Sequence, residues 1–91
     1  MVDISVDEKN KSLIITAEMP GISKEDIRVN ISNNLIVLYG KRGNKKYHTE
    51  IPVKSELEES SAKARYTNGI LELKAKLKGP LKSNSREIKI E

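Results

Sequence analysis

Strict alternation of apolar and charged residues limits most sharply what this chain can become. It is clearest from Ile70 to Leu77. There Leu71, Leu73, Ala75 and Leu77 fall on one face of an extended strand, and Ile70, Glu72, Lys74 and Lys76 on the other. A helix would scatter those residues around its whole surface. The same period runs through Val2, Ile4 and Val6 and through Ile27, Val29 and Ile31, so both read as half-buried strands. Turn signals divide the runs. Glu8 to Lys11 separates Val2–Asp7 from Leu13–Ala17 as in a hairpin. Pro20-Gly21 breaks the second strand. Ser23 then reads as the N-cap of one short turn, with Glu25 and Asp26 as its acidic residues. Ser32-Asn33-Asn34 suits a tight turn, and Asn68-Gly69 supplies the positive φ of a two-residue hairpin loop.

The remaining segments are less regular. Leu35 to Tyr39 is apolar on both faces, which places it centrally or under cover on both sides. Gly40 to Lys46 reads as a polar, basic connection. Tyr47 to Val53 is a strand whose end Pro52 confines to an edge or an exit. Lys54 to Ser61 fits either a loop or one helical turn, and Ala62 to Tyr66 is a short strand. Gly79-Pro80 stops the long strand, and the chain ends Ile88-Lys89-Ile90-Glu91. Seven to eight short strands at this spacing predict an all-β antiparallel sandwich or small barrel.

Ninety-one residues make one domain with a single thin core. There is no cysteine, so disulfides, thiolate chemistry and Cys-based metal sites are excluded. No apolar run approaches the ~20 residues of a membrane-spanning helix, and Met1 opens no signal peptide. The expectation is a cytoplasmic protein without a membrane partner. Charge is uneven: residues 1–40 carry six acids and four bases, residues 41–91 seven and thirteen. Most lysines in the basic half alternate with apolar residues, as on the outer face of a strand. Tyr39, Tyr47 and Tyr66 are the only aromatic residues, a poor set of stacking platforms for nucleic acid. No nucleic-acid partner is expected.

Enzyme chemistry is not legible either. His48 is the only histidine, so a metal site would have to rely on carboxylates such as Glu50. Glu56, Glu58 and Glu59 cluster in a polar stretch, without the burial that separates the pKa values of a catalytic pair. Gly40-Lys41-Arg42-Gly43 lacks the glycine pattern and following helix of a phosphate loop. No catalytic residue, cofactor or metal is expected.

Two motifs in order carry a family resemblance. Ala17-x-x-Pro20-Gly21-x-x-Lys24-Glu25-Asp26-Ile27-x-Val29 is followed by Ala64-x-x-x-Asn68-Gly69-Ile70-Leu71. Together they resemble the α-crystallin domain of small heat shock (HSP20) proteins over about residues 2–78. Ile88-Lys89-Ile90 is similar to that family's C-terminal I-x-I anchor. The resemblance implies an immunoglobulin-like antiparallel sandwich in residues 1–78 and a flexible tail in residues 79–91. It implies ATP-independent holding of unfolding clients. It also implies a groove between the strand after the Pro-Gly motif and the strand before the Asn-Gly turn. Here that groove would be lined by Ile27, Val29 and Ile31 and by Ala62 and Ala64, the small alanines leaving room for Ile88 and Ile90. The bland alternative for the alanines is ordinary sheet packing.

The chain departs from the family pattern in two places. Strand-like sequence follows Met1 directly, where the family has a long arm. Gly40 to Lys46 is too short for the extra strand that many members exchange across a dimer. The expectation is therefore a monomer, or a small oligomer held by tails or edge strands, or else one excised domain. The alternative function is a p23-like interaction or co-chaperone module without holding activity of its own.

Overall fold

The computed structural model describes residues 1–32, 34–78 and 88–91. Seven strands form two antiparallel sheets packed face to face. They are β1 (Val2–Asp7), β2 (Ser12–Glu18), β3 (Ile27–Ser32), β4 (Leu35–Arg42), β5 (Lys45–Pro52), β6 (Leu57–Thr67) and β7 (Ile70–Leu77). One sheet has the order β1-β2-β7-β6 and the other β3-β4-β5. The chain is an all-β, immunoglobulin-like sandwich, as the strand pattern and the resemblance predict. One 3₁₀ turn, Lys24–Asp26, is the only helical element among the described residues.

Alternation builds the core. Leu71, Leu73, Ala75 and Leu77 of β7 are buried, and their exposed neighbours face water. β7 pairs with β2 so that Leu73 lies opposite Ile15 and Ala75 opposite Leu13. From the other sheet Ile36, Leu38 and Ile51 close the core. β4 is the central strand of its sheet, which explains its two apolar faces. Ile36 and Leu38 point into the core, while Leu35 and Val37 are half-buried on the far side.

Three expectations change. β1 is not half-buried along its length. Val2 packs against the core, but Ile4 and Val6 are 51% and 42% exposed. β1 is the outer edge of the four-stranded sheet, beyond the reach of the three-stranded one. Gly40 to Lys46 is not a seven-residue connection. β4 and β5 run on through it, with Arg42 opposite Lys45 and only Gly43-Asn44 between them. Gly43 adopts φ +58 and Asn44 is not in the left-handed region, the pattern of a hairpin turn with glycine first. Lys54 to Ser61 is neither wholly loop nor helix. β6 already begins at Leu57, and its pairing with β7 shifts register between Glu58 and Lys63. Ser61 bridges this bulge. Its hydroxyl donates to the Glu58 carbonyl (2.6 Å) and accepts from the Lys76 amide (2.8 Å).

Candidate functional site

The Pro-Gly segment links the two sheets and sets where β3 begins. Met19 and Ile22 are buried and lie over Gly40 of β4. A Cβ on Gly40 would come within 2.6 Å of Ile22 Cδ1 and 2.7 Å of Met19 Cε, so this glycine makes the room that the two side chains fill. The Met19 amide donates to the Gly69 carbonyl (2.8 Å), tying the Pro-Gly motif directly to the Asn-Gly turn. Tyr66 of β6 donates its hydroxyl to the carbonyls of Met19 (2.6 Å) and Ile22 (3.2 Å). Tyr47 of β5 donates to the Pro20 carbonyl. The Ser23 amide donates to Asp26 Oδ2 (2.9 Å), the acidic half of a capping box. Arg42 reaches over from β4 and donates to Ser23 Oγ (2.6 Å), with its Nε 3.7 Å from Asp26. The segment is thus held from both sheets, and Ile27 follows directly in β3.

β3 and β6 are the edge strands on one side of the sandwich and belong to opposite sheets. Ile27, Val29 and Ile31 lie opposite Gly40, Leu38 and Ile36, so they share the core face. Ala64 and Tyr66 lie opposite Leu73 and Leu71 and share it too. At this open side the core face is also the wall of a groove. One cavity of about 350 Å³ is bounded by Val29, Ile31, Ala62, Ala64 and Leu73, with Glu59 and Lys63 at its rim. An adjoining cavity of about 340 Å³ takes in Ile27, Val29, Ala64, Tyr66 and Leu71, with Lys24 and Arg65 at its rim. Val29 and Ala64 line both. Of the five residues expected to line a groove, Val29, Ile31, Ala62 and Ala64 line the first cavity and Ile27, Val29 and Ala64 the second. Ala62 is half-buried in the β6 bulge and Ala64 is exposed, where larger side chains would fill the space.

The sequence alone missed the floor and the rim. Leu71 and Leu73 are core residues by pattern, and only their pairing with Tyr66 and Ala64 brings them under the groove. Ile88 and Ile90 are 83% and 94% exposed. The expected flexible segment 79–87 lies outside the described residues, as does Asn33 of the expected Ser32–Asn34 turn.

The other polar candidates have modest surroundings. His48 is exposed on β5, with Nε2 3.3 Å from Glu50 Oε2 and its ring edge-on to Tyr39. Glu56, Glu58 and Glu59 are all exposed at the start of β6. No three His, Asp or Glu side chains among the described residues gather as a metal site would require. Asp7 has its carboxyl held below the usual range, first by a hydrogen bond from the Asn10 side chain (2.7 Å) and then by the Asn10 amide (3.3 Å). No helix of the described residues is long and apolar enough to cross a membrane.

The sequence model of the Hsp20/alpha crystallin family matches residues 5–91. The chain belongs to this family. It is 29% identical over 90 residues to heat shock protein HSP.16.4 of Streptococcus thermophilus, covering 80% of this chain and 63% of that protein. It is 28% identical over 94 residues to a probable 15 kDa heat shock protein of Leptospira interrogans, covering 88% and 71%. The chain spans about two thirds of the length of these relatives. Among solved structures, heat shock protein 16.0 from Schizosaccharomyces pombe superposes with a TM-score of 0.73 at 17% identity, covering 100% of this chain and 96% of that one. The hspA protein of Xanthomonas axonopodis gives 0.74 at 18% identity, covering 85% and 91%. These two likenesses are of fold. Small heat shock proteins are chaperones rather than enzymes, and the relatives bear heat shock names. In this small heat shock chain the two motifs meet in space, through the Met19 amide and the Gly69 carbonyl.

Proposed function

We propose that this small heat shock domain holds unfolding polypeptides without nucleotide, taking their extended apolar segments into the β3–β6 groove. The observation that carries the reading is the pair of cavities that share Val29 and Ala64, with Leu73 and Leu71 in their linings, between two edge strands. An extended segment with apolar residues at i and i+2 presents both to one side. Each such side chain, fully buried, contributes roughly 1.5–3 kcal/mol before ordering costs. Pairing with the free edge of β3 or β6 adds register, the mode of strand addition. Ile88 and Ile90 have that spacing and are exposed, so the tail of a neighbouring copy competes with clients for the same trough. Self-association is then small in scale and runs through tails or edge strands.

The test is suppression of aggregation. The full chain, mixed at near-stoichiometric ratio with a heat-unfolding model protein and no ATP, keeps it from scattering light. Ala64→Trp fills the trough and removes most of that protection while the domain stays folded. No protection by the full chain, or protection that survives Ala64→Trp, refutes the groove reading. The two-residue β4–β5 turn favours a second reading, an interaction module of co-chaperone type, because no projecting strand leaves this hairpin for a dimer partner. A folded chain that protects nothing, yet retains one saturable protein partner, selects it.

A further inference from the structure

The outer face of the three-stranded sheet belongs neither to the core nor to the groove. One end of it gathers side chains that lie far apart in the sequence. Tyr39 of β4 is half-buried there, on the side away from Leu38 and the core. The register sets Arg28 of β3 directly opposite it on one side and His48 of β5 on the other. Two residues further along, Lys41 lies opposite Lys46. Arg28, Lys41, Lys46 and His48 are all exposed. Arg28 is held in place, since its Nη1 donates to the carbonyls of Glu25 and Ile27 (3.0 Å each). The His48 ring stands at 76° to the Tyr39 ring, with centroids 6.0 Å apart. The two rings are not stacked on each other, so ring surface stays open to a planar ligand. Glu50, the one carboxylate among the strand residues of this face, is engaged with His48 (3.3 Å). Lys41 and Lys46 form no ion pair among the described residues. Like charges directly opposite each other destabilise a strand pair, so this end of the sheet favours an anion above it.

We propose that this face binds single-stranded nucleic acid, with one base on the Tyr39 ring and the neighbouring phosphates on Arg28, Lys41 and Lys46. Stacking on an aromatic side chain accepts any base, and cations that track the backbone supply the rest of the affinity. Three tyrosines are few for such binding, and the hydroxyls of Tyr47 and Tyr66 are taken up by backbone carbonyls of the Pro-Gly segment. The register compensates by surrounding the third with cations from two other positions of the sheet and from its own strand. A duplex fits less well, because its bases are already stacked on each other and cannot reach Tyr39. A lipid surface fits less well too. None of the exposed large hydrophobic residues lies on this face, so nothing there enters a bilayer. The proposal goes beyond the groove reading and stands on the opposite side of β3 and β4, so its failure leaves that reading intact.

The test is fluorescence anisotropy of the full chain with a labelled, mixed-sequence DNA strand of about ten nucleotides, within the usual site size. The strand is expected to bind more tightly than its own duplex. Three phosphate contacts give a slope of log affinity against log salt of about −2. Tyr39→Leu keeps apolar bulk in the sheet but removes the ring, and affinity falls about tenfold, within the range of one stacked base. Tyr39→Phe keeps the ring and the affinity. Lys41→Gln with Lys46→Gln removes most of the binding and flattens the salt slope. Lys74→Gln with Lys76→Gln, the same change in net charge on the exposed side of β7, leaves binding unchanged. If circular dichroism shows Tyr39→Leu unfolded, the two lysine pairs carry the test, because all four residues are exposed. No binding at low salt overturns the proposal, and so does equal loss from both lysine pairs, which would reflect net charge alone. Binding of the duplex, or of vesicles of anionic lipid, that equals the single strand and survives Tyr39→Leu overturns it as well.

Discussion

The Tyr66 hydroxyl reaches across the sandwich to the carbonyls of Met19 and Ile22, and so one side chain of β6 holds the segment that launches β3. Tyr66→Phe removes the only donor to either carbonyl among the described residues and keeps the ring in place. A part-buried acceptor left without its partner costs about 1–2 kcal/mol. For a domain of this size that lowers the melting temperature by roughly 4–8 °C per kcal/mol. Tyr47→Phe, which removes an exposed bond to Pro20, lowers it less. Thermal melts of the two variants, followed by circular dichroism, check the order. Neither tyrosine declares this role in the sequence. Tyr66 lies 47 residues from Met19, and no local pattern links them. Gly40 is similar: it reads as the start of a loop, yet it is a buried strand residue whose missing side chain seats Met19 and Ile22. The Pro20-Gly21 and Asn68-Gly69 motifs were legible because positive φ leaves a signature in residue type, and Gly21, Asn68 and Gly69 all adopt it.

At the scale of strands, legibility followed regularity. β7 and β3 alternate without interruption, and their faces match the pattern residue for residue. β6 does not, because its bulge lets Ser61 replace a backbone partner for Lys76, and a polar residue in that role looks like loop. The groove strands were readable, while the groove itself depends on which edges the topology leaves side by side. β1 shows the converse, since alternation announced a buried face that its edge position exposes. Its turn to β2 also makes the protein's stability depend on acid. Asp7 accepts from both the side chain and the amide of Asn10, which holds its carboxyl below the usual value. A lowered folded-state pKa contributes stability that is complete above the unfolded value, about 3.9, and fades as pH falls through the folded one. Asp7→Asn therefore narrows the gap in stability between neutral and acid pH. Denaturant melts at pH 7 and near pH 2.5 check this: the wild-type advantage over the variant is larger at the first than at the second. An equal advantage at both would mean that the charge of Asp7 is not what stabilises the turn.

For the whole molecule, the placement of its apolar side chains separates folding from association. Every buried hydrophobic residue among those described lies between Leu13 and Leu77, and Ile88 and Ile90 are almost fully exposed. Exposed side chains add no burial to the folded state, so a chain ending at Lys78 keeps its core. Its melting temperature is expected to stay within roughly 3 °C of the full chain, a change of under ~0.4–0.75 kcal/mol. The proposed docking of the tail predicts an effect on association instead. Two isoleucines at i and i+2 lose water only by docking on another surface, and the trough between β3 and β6 is the apolar site with matching spacing on its wall. Light scattering should then give the full chain a larger, concentration-dependent mass than the truncated one. Ile88→Ala with Ile90→Ala should bring the full chain down to the truncated value. The truncated form should also protect a heated model protein at least as well per subunit, because no neighbouring tail competes for the trough. If truncation instead unfolds the domain, residues 79–91 belong to the fold. If mass and protection are both unchanged, the tail has no seat in the groove, and Ile88 and Ile90 serve some other contact.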